Sequence, residues 1–490
     1  MKIKTKLFNE INKQFINGVW KEGKSSNVGT IYDPFDNSVI TEVSLATKED
    51  IDEAYQVAKI AQKQWASTSA EEKVKVFENV INILQKNKDE FMDILTREVG
   101  SSFVKANFEI QLTISILKEA MTFPNRMGVR TMPSEVIPGK VNYVYREPAG
   151  VVSVISPFNF PFFLSLRTIA PAIAIGNAVV HKPDLRTAIS GGAIIAKLFE
   201  LAGLPKGVLN VIITDIMEIG DYLIEHPIPQ VVSFTGSSPV GRHIGSIAGK
   251  NLKKVSLELG GNSPCIILED ADIKQAVDAA VFGKFIHQGQ VCMSINRLFV
   301  HRSLYDDFTK AFVKRVSELP YGDPKNPSTI IGPIINEKQI ERILKLVDTA
   351  KKEGANFALE GKRVGNVLTP FILTDVTNKM TIAQNEIFGP VALIIPFDTE
   401  QEAIDAANDT EYGLGAAVFT SDIERGEKIA REIESGTAHV NDQPVNVEPT
   451  LPFGGEKFSG IGRFGGEWTL EEFTTMKWVS IQKETRKYPF

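Results

Sequence analysis

Between Gly150 and Leu259, short apolar runs alternate with longer helix-like runs, and this rhythm constrains the fold more than any other feature of the chain. Val151–Ile155, Ala178–His181, Val208–Ile213, Val231–Phe234 and Val255–Leu259 read as short buried strands. Helical stretches at about Phe162–Ile175, Ala188–Ala202 and Ser238–Ile247 lie between them. Strands that alternate with helices are joined by crossovers, so they run parallel and form a doubly wound sheet. Such sheets bind nucleotides at the carboxyl ends of their strands.

The flanking regions extend this plan. A β-like entry at Phe15–Trp20 leads to two helix starts, Thr47-x-x-Asp50 and Ser69-x-x-Glu72, which read as capping boxes. Ile51, Ala54, Ala58, Ala61 and Trp65 follow helical spacing behind the first, and Phe77, Val80, Ile81 and Leu84 behind the second. A second α/β unit runs from about Gly261 to Gly436, with a strand at Ser263–Leu268 and a helix at Glu337–Lys352. A Gly-rich segment, Pro452–Arg463, closes it, and Trp478–Gln482 reads as an edge strand. A chain of 490 residues exceeds one core, so two or three domains are expected.

Composition excludes several classes. A formal net charge of −6 argues against a nucleic-acid protein. Met1–Lys6 is basic, but no apolar signal core follows it. The longest apolar run, about Thr168–Val180, contains Pro171, Gly176 and Asn177 and is too short to span a bilayer. Two cysteines build no disulfide framework, so a cytoplasmic protein is expected. Six histidines without paired ligand spacing predict no metal site.

Cys265 lies in an apolar run and reads as a small core residue. Cys292 follows Gly289-Gln290-Val291, where glycine permits close backbone approach, and is a candidate nucleophile. Glu258 stands near the end of an apolar strand, where a carboxylate is costly unless paired, protonated or functional. A thiol and a desolvated carboxylate together suggest covalent catalysis through a thioester. His287 offers a Cys/His alternative, although a partly exposed turn histidine is the plainer reading. Gly236 and Ser237 lie where a strand opens into a helix, so nearby amides could hold a pyrophosphate. Asn159 either caps the helix that follows it or donates to a developing oxyanion.

Taken in order, these motifs resemble those of the aldehyde dehydrogenase superfamily over almost the whole chain. Ser156-Pro157-Phe158-Asn159-Phe160-Pro161 is similar to the family's Pro-Trp-Asn-Phe-Pro motif, and Lys182-Pro183 to its Lys-Pro cofactor motif. Phe234–Gly241, Leu257–Gly261, Gly289–Cys292, Glu386–Pro390 and Pro452–Gly460 complete the set. The resemblance implies that Cys292 attacks the aldehyde, that Asn159 and the Cys292 amide stabilise the oxyanion, and that Glu258 activates the hydrolytic water. It implies that Ser156, Phe158, Lys182, Gly236, Ser237, Glu386 and Phe388 meet the cofactor, NAD or NADP. Lys182 would take the adenosine ribose, Ser237 the pyrophosphate and Glu386 the nicotinamide ribose.

The implied fold is α/β, with a Rossmann-like parallel-sheet cofactor domain (residues 1–124 and 149–258) and a catalytic domain (259–460). A small oligomerisation arm and tail (125–148 and 461–490) would make a homodimer or homotetramer. Phe158 replaces the usual tryptophan, and Leu185 stands where many NAD-preferring members carry a glutamate. With Lys182–Thr187 and His439–Val445, these two departures resemble the benzaldehyde and vanillin dehydrogenase branch. Thr214-Asp215 in place of a glycine-containing loop puts that loop's cofactor contacts in question. The competing expectations are an aliphatic aldehyde or semialdehyde dehydrogenase, for which Arg167 could bind a substrate carboxylate, and a catalytically retired structural protein.

Overall fold

The five alternating strands form the centre of an eight-stranded sheet in the computed structural model, which describes Leu7 and residues 11–490. The basic start, Met1–Lys6, lies outside the described residues. Across the sheet the order is Val19–Lys21, Gln14–Ile16, Leu209–Val211, Ala178–Lys182, Val151–Ile155, Val231–Thr235, Lys254–Glu258 and Gly460–Ile461. The five central strands pair in parallel, and antiparallel strands close both sides. All four parallel pairings therefore end at one edge, where Ser156, Lys182, Gly236 and Glu258 leave the sheet.

Both capping boxes start the helices they predict, at Lys48–Ala66 and Ala70–Lys86. Two further helices, Lys88–Val99 and Phe103–Ala120, thicken this layer; the first has no side-chain cap, and Ser102 caps the second by accepting the Lys105 amide. The Pro161–Ile175 helix is buried along its whole length and ends at Gly176, whose φ of +110° suits glycine. The Ala188–Ala202 stretch differs from its expected single helix. It opens as a tight turn at Leu185–Thr187, widens to π-helix at Ile189–Ala193 and becomes α-helical at Ile194–Leu201. The buried Glu98 carboxylate accepts the Ile189 and Ser190 amides at 2.8 and 2.6 Å, which draws the first turn towards a side chain. Burial raises the Glu98 carboxyl to about 7.

A seven-stranded sheet forms the second α/β unit, ordered Asn356–Leu359, Phe371–Thr374, Val391–Phe397, Ile295–His301, Ser263–Ile267, Gly415–Phe419 and Thr437–Val440. All its pairings are parallel except the first. The Glu337–Lys352 helix has the bounds its periodicity predicts. From Thr437–Val440 the chain returns to the first sheet, where Gly460–Ile461 pairs with Lys254–Glu258. A third, antiparallel sheet of Thr474–Gln482, Lys140–Pro148 and Val129–Pro133 stands apart from both. The tail is thus an edge strand, and its Trp478 is exposed. Among the described residues, no helix is long and apolar enough to cross a membrane.

Candidate active site

Cys292 is held by a turn that only unusual backbone conformations allow. His287 and Gln288 both have positive φ, and Gly289 follows at +72°. A Cβ on Gly289 would lie 2.3 Å from the Gly389 carbonyl oxygen. Across the site, a Cβ on Gly261 would lie 2.3 Å from the Cys292 carbonyl oxygen. The Gly260-Gly261 pair that ends the Glu258 strand therefore lets the cysteine backbone come close. Cys292 is half-buried, and burial, then the neighbouring Glu258 carboxylate, raises its thiol well above the usual range. Arg167 acts in the opposite direction. Cys265 is fully buried and desolvation alone raises its thiol, which fits an inert core residue.

Glu258 is 1% exposed. Its Oε2 accepts an Arg167 Nη2–H at 3.0 Å, and its Oε1 is buried without a hydrogen-bond partner. Arg167 also donates to Thr235 Oγ1 at 3.2 Å, and its guanidinium lies 4.5 Å from the Phe464 ring centroid and 5.2 Å from that of Phe453.

Asn159 is buried and donates from Nδ2 to the Gln290 carbonyl at 2.9 Å, which ties it to the cysteine turn. It does not cap the helix that follows. The Phe162 and Phe163 amides instead donate to Glu109 Oε1, at 2.9 and 3.2 Å. Glu109 is in turn paired with buried Lys105 at 2.5 Å. The helix-cap alternative for Asn159 is thereby removed, because a carboxylate from the Phe103–Ala120 helix does that work.

Asn159, Cys292 and Arg167 line one cavity. Its remaining wall is mostly apolar and aromatic, from Phe108, Leu112, Phe160, Phe163, Val445 and Phe453. Of the four phenylalanines clustered around Asn159, Phe160 and Phe163 face this cavity. Phe162 packs on Phe91 in the core, and Phe158 meets Phe388 edge-on at 5.9 Å. Sequence spacing alone missed Phe108, Leu112 and Val445, since nothing local marks them as neighbours of Cys292.

His287 is a correction. It is fully buried rather than partly exposed, with neither ring nitrogen hydrogen-bonded. Its ring packs edge-on against Phe160, and burial holds it neutral, so it has no role of a paired base.

The residues assigned to a dinucleotide lie at the carboxyl edge of the first sheet or against residues there. Gly236 and Ser237 lead into the Ser238–Lys250 helix, where exposed Ser237 is the cap residue and makes no side-chain capping bond. That leaves a helix N-terminus with free donors, which suits a phosphate. A Cβ on Gly241 would lie 2.2 Å from Leu259, so this helix packs close to the sheet. Lys182 ends its strand half-buried, with Nζ 3.3 Å from the Pro183 carbonyl. Ser156 instead turns its hydroxyl to buried His181 at 3.0 Å, leaving its backbone at the sheet edge. Glu386 accepts the Gly261 amide at 3.1 Å, and burial raises its carboxyl to about 7. Asp184 is neutralised by Arg186, through bonds of 2.8 and 2.6 Å, and Arg186 lies 4.3 Å over the Phe158 ring. Leu185 packs towards Gly29 and Leu45. Thr214 donates to the Ala46 carbonyl, and Asp215 caps a short helix at Ile216–Ile219. Among the described residues, no cluster of histidine, cysteine or carboxylate side chains could hold a metal ion.

The strand that carries Glu258 thus ends beside the Cys292 turn, at the carboxyl edge of a doubly wound sheet. Residues 20–479 match the aldehyde dehydrogenase family, and the chain belongs to that family. It is an oxidoreductase that acts on aldehydes with a nicotinamide cofactor. It is 51% identical to the benzaldehyde dehydrogenase YfmT of Bacillus subtilis, over 99% of both chains. It is 46% identical to a vanillin dehydrogenase of Corynebacterium glutamicum, over 97% of this chain and 98% of that one. A crystal structure of an NAD-dependent benzaldehyde dehydrogenase from Corynebacterium glutamicum superposes with a TM-score of 0.90 at 43% identity, covering 98% of each chain.

Proposed function

We propose that the enzyme oxidises aromatic aldehydes of the benzaldehyde or vanillin type to their carboxylic acids, with either NAD or NADP. The observation that carries this reading is the cavity at Cys292, walled by Phe108, Phe160, Phe163 and Phe453. Ring stacking there contributes about 0.5–1.5 kcal/mol beyond area burial. The similarity to benzaldehyde and vanillin dehydrogenases supports the same substrate class. A panel of benzaldehydes, short aliphatic aldehydes and succinate semialdehyde, followed by absorbance of the reduced cofactor, tests it. Benzaldehydes should give the highest kcat/KM, and a clear preference for acetaldehyde or the semialdehyde would refute the aromatic reading.

In this reading Cys292 Sγ adds to the carbonyl carbon while its proton passes to Glu258. The alkoxide of the thiohemiacetal takes hydrogen bonds from Asn159 Nδ2 and the Cys292 amide. A bound nicotinamide would supply the hydride acceptor, and loss of the hydride from the thiohemiacetal leaves a thioester on Cys292. Glu258 releases the thiol's proton to solvent and then takes one from water as the water oxygen attacks the thioester; the Cys292 thiolate leaves the tetrahedral adduct and the acid is released. Ser237 and the Gly236 turn would hold the pyrophosphate, Lys182 and Glu386 the two riboses, and Phe158, Phe388 and the Ser156 backbone would line the rest of the cofactor site. Asn159→Ala should lower kcat by about a hundredfold or more, the scale for losing one positioned oxyanion donor, about 3 kcal/mol. Cofactor affinity, read by fluorescence titration, should change little.

Dual cofactor use follows from Leu185. A glutamate there would accept from both ribose hydroxyls and repel a 2′-phosphate, whereas leucine does neither. Asp184 does not replace it, since Arg186 occupies its carboxylate. Leu185→Glu should weaken NADP far more than NAD. A wild-type preference beyond about a thousandfold, roughly 4 kcal/mol, would mean that other residues set the choice. We assign the protein to the cytoplasm as a homodimer or homotetramer, with the third sheet as its oligomerisation arm; sedimentation of the purified enzyme decides between the two.

A further inference from the structure

Arg167 is the one charged side chain of the cavity wall, and its charge is already committed. It is 3% exposed, and its guanidinium lies over the Phe453 and Phe464 rings. Its Nη2 donates to Glu258 Oε2 at 3.0 Å and to Thr235 Oγ1 at 3.2 Å. Two buried ions cost desolvation that their attraction does not always offset, so such a pair calls for a reason. The division of the carboxylate supplies one. Oε2 is taken by Arg167, while Oε1 is buried and unpartnered, with the thiol of Cys292 beside the carboxylate. We infer that Arg167 is a positioning residue for Glu258: it fixes Oε2 and leaves Oε1 to take the proton of Cys292, release it to solvent and then take one from water. This rests on the base role proposed for Glu258. It also removes Arg167 as a ligand for a substrate carboxylate, because a guanidinium neutralised by Glu258 presents little charge to a second anion.

Three charged or titratable groups bear on this carboxylate, and two more stand behind one of them. Arg167 comes from the Pro161–Ile175 helix and Cys292 from the glycine turn. Glu386 approaches from the second unit, with Arg342 and Lys284 behind it. Arg167 is the cation bonded directly to Glu258, so its removal should let the carboxylate bind a proton at higher pH.

The test compares wild-type, Arg167→Met and Arg167→Lys by rapid mixing and steady-state kinetics from pH 6 to 10, with whichever aldehyde the wild-type oxidises best. In the methionine variant the burst of reduced cofactor should remain, and the hydrolysis after it should fall tenfold or more at pH 7. Its acid limb should move up by one pH unit or more, and rates should approach wild-type at high pH. Lysine should restore most of the loss. In a Glu258→Gln background, adding Arg167→Met should change the post-burst rate less than twofold. Should the methionine variant not fold, Arg167→Gln removes the charge, keeps a donor and should show the same displacement. An unmoved acid limb, or a full further loss in the Glu258→Gln background, overturns the role. So does a variant altered only in its KM for 4-carboxybenzaldehyde, the behaviour of a substrate ligand. A wild-type preference for aliphatic aldehydes would refute the aromatic reading and leave this comparison intact.

Discussion

Cys292→Ala should abolish cofactor reduction with every aldehyde, because no other thiol lines the cavity and Cys265 is sealed in the core. Loss of the nucleophile removes the thiohemiacetal from which hydride would leave, so there should be no burst either. Binding of cofactor, followed by fluorescence quenching, should survive, since the cofactor site is assigned to other residues. The resting thiol adds a pH test. Burial and the adjacent Glu258 carboxylate raise it well above its usual range, so the thiolate is scarce at neutral pH. Alkylation by iodoacetamide should therefore be slow at pH 7 and accelerate about tenfold per pH unit, since only the thiolate reacts. Inactivation should track one alkylated cysteine per chain. Fast alkylation at pH 6, or activity left after stoichiometric modification, would remove Cys292 from the reaction.

Glu258→Gln should separate the two halves of the cycle. Glutamine keeps an oxygen to accept from Arg167 but takes no proton, so water attack on the thioester loses its base. Rapid mixing should show a burst of reduced cofactor approaching one equivalent per site, slower than in wild-type because the thiol also loses its base, then a slow phase at least a hundredfold below wild-type, within the range of general-base catalysis. An acyl-enzyme trapped by acid quench and seen by mass spectrometry on Cys292 would complete the picture. Turnover at the wild-type rate would show that another group activates the water. A variant with no burst would place Glu258 in thiol activation alone.

Much of this site could be read along the chain. The parallel sheet follows from the alternation between Gly150 and Leu259, because strand and helix periods are local properties. Helix starts at Thr47 and Ser69 follow from side chains three residues apart. Gly260-Gly261 and Gly289 mark close backbone approach before any contact is known, although the partners, the Cys292 and Gly389 carbonyls, come only from the fold. Local periodicity was a poorer guide at Ile189–Ala193, where a carboxylate from another helix draws away the first amides of the turn.

What the sequence determined by itself was the architecture and the chemical inventory: a doubly wound sheet, one thiol in a glycine turn, one carboxylate ending an apolar strand. These rest on short-range periods and on residue types that tolerate few environments. Tertiary structure decided how those groups are paired and oriented. It gave the cap of the Pro161 helix to Glu109 and so freed Asn159 for the cavity. It split four neighbouring phenylalanines among the cavity, the core and a contact with Phe388. It buried His287 and set Arg167 against Glu258 across 91 residues of chain. Burial and charge pairing are sums over residues distant in sequence, and only the folded chain brings those residues into contact.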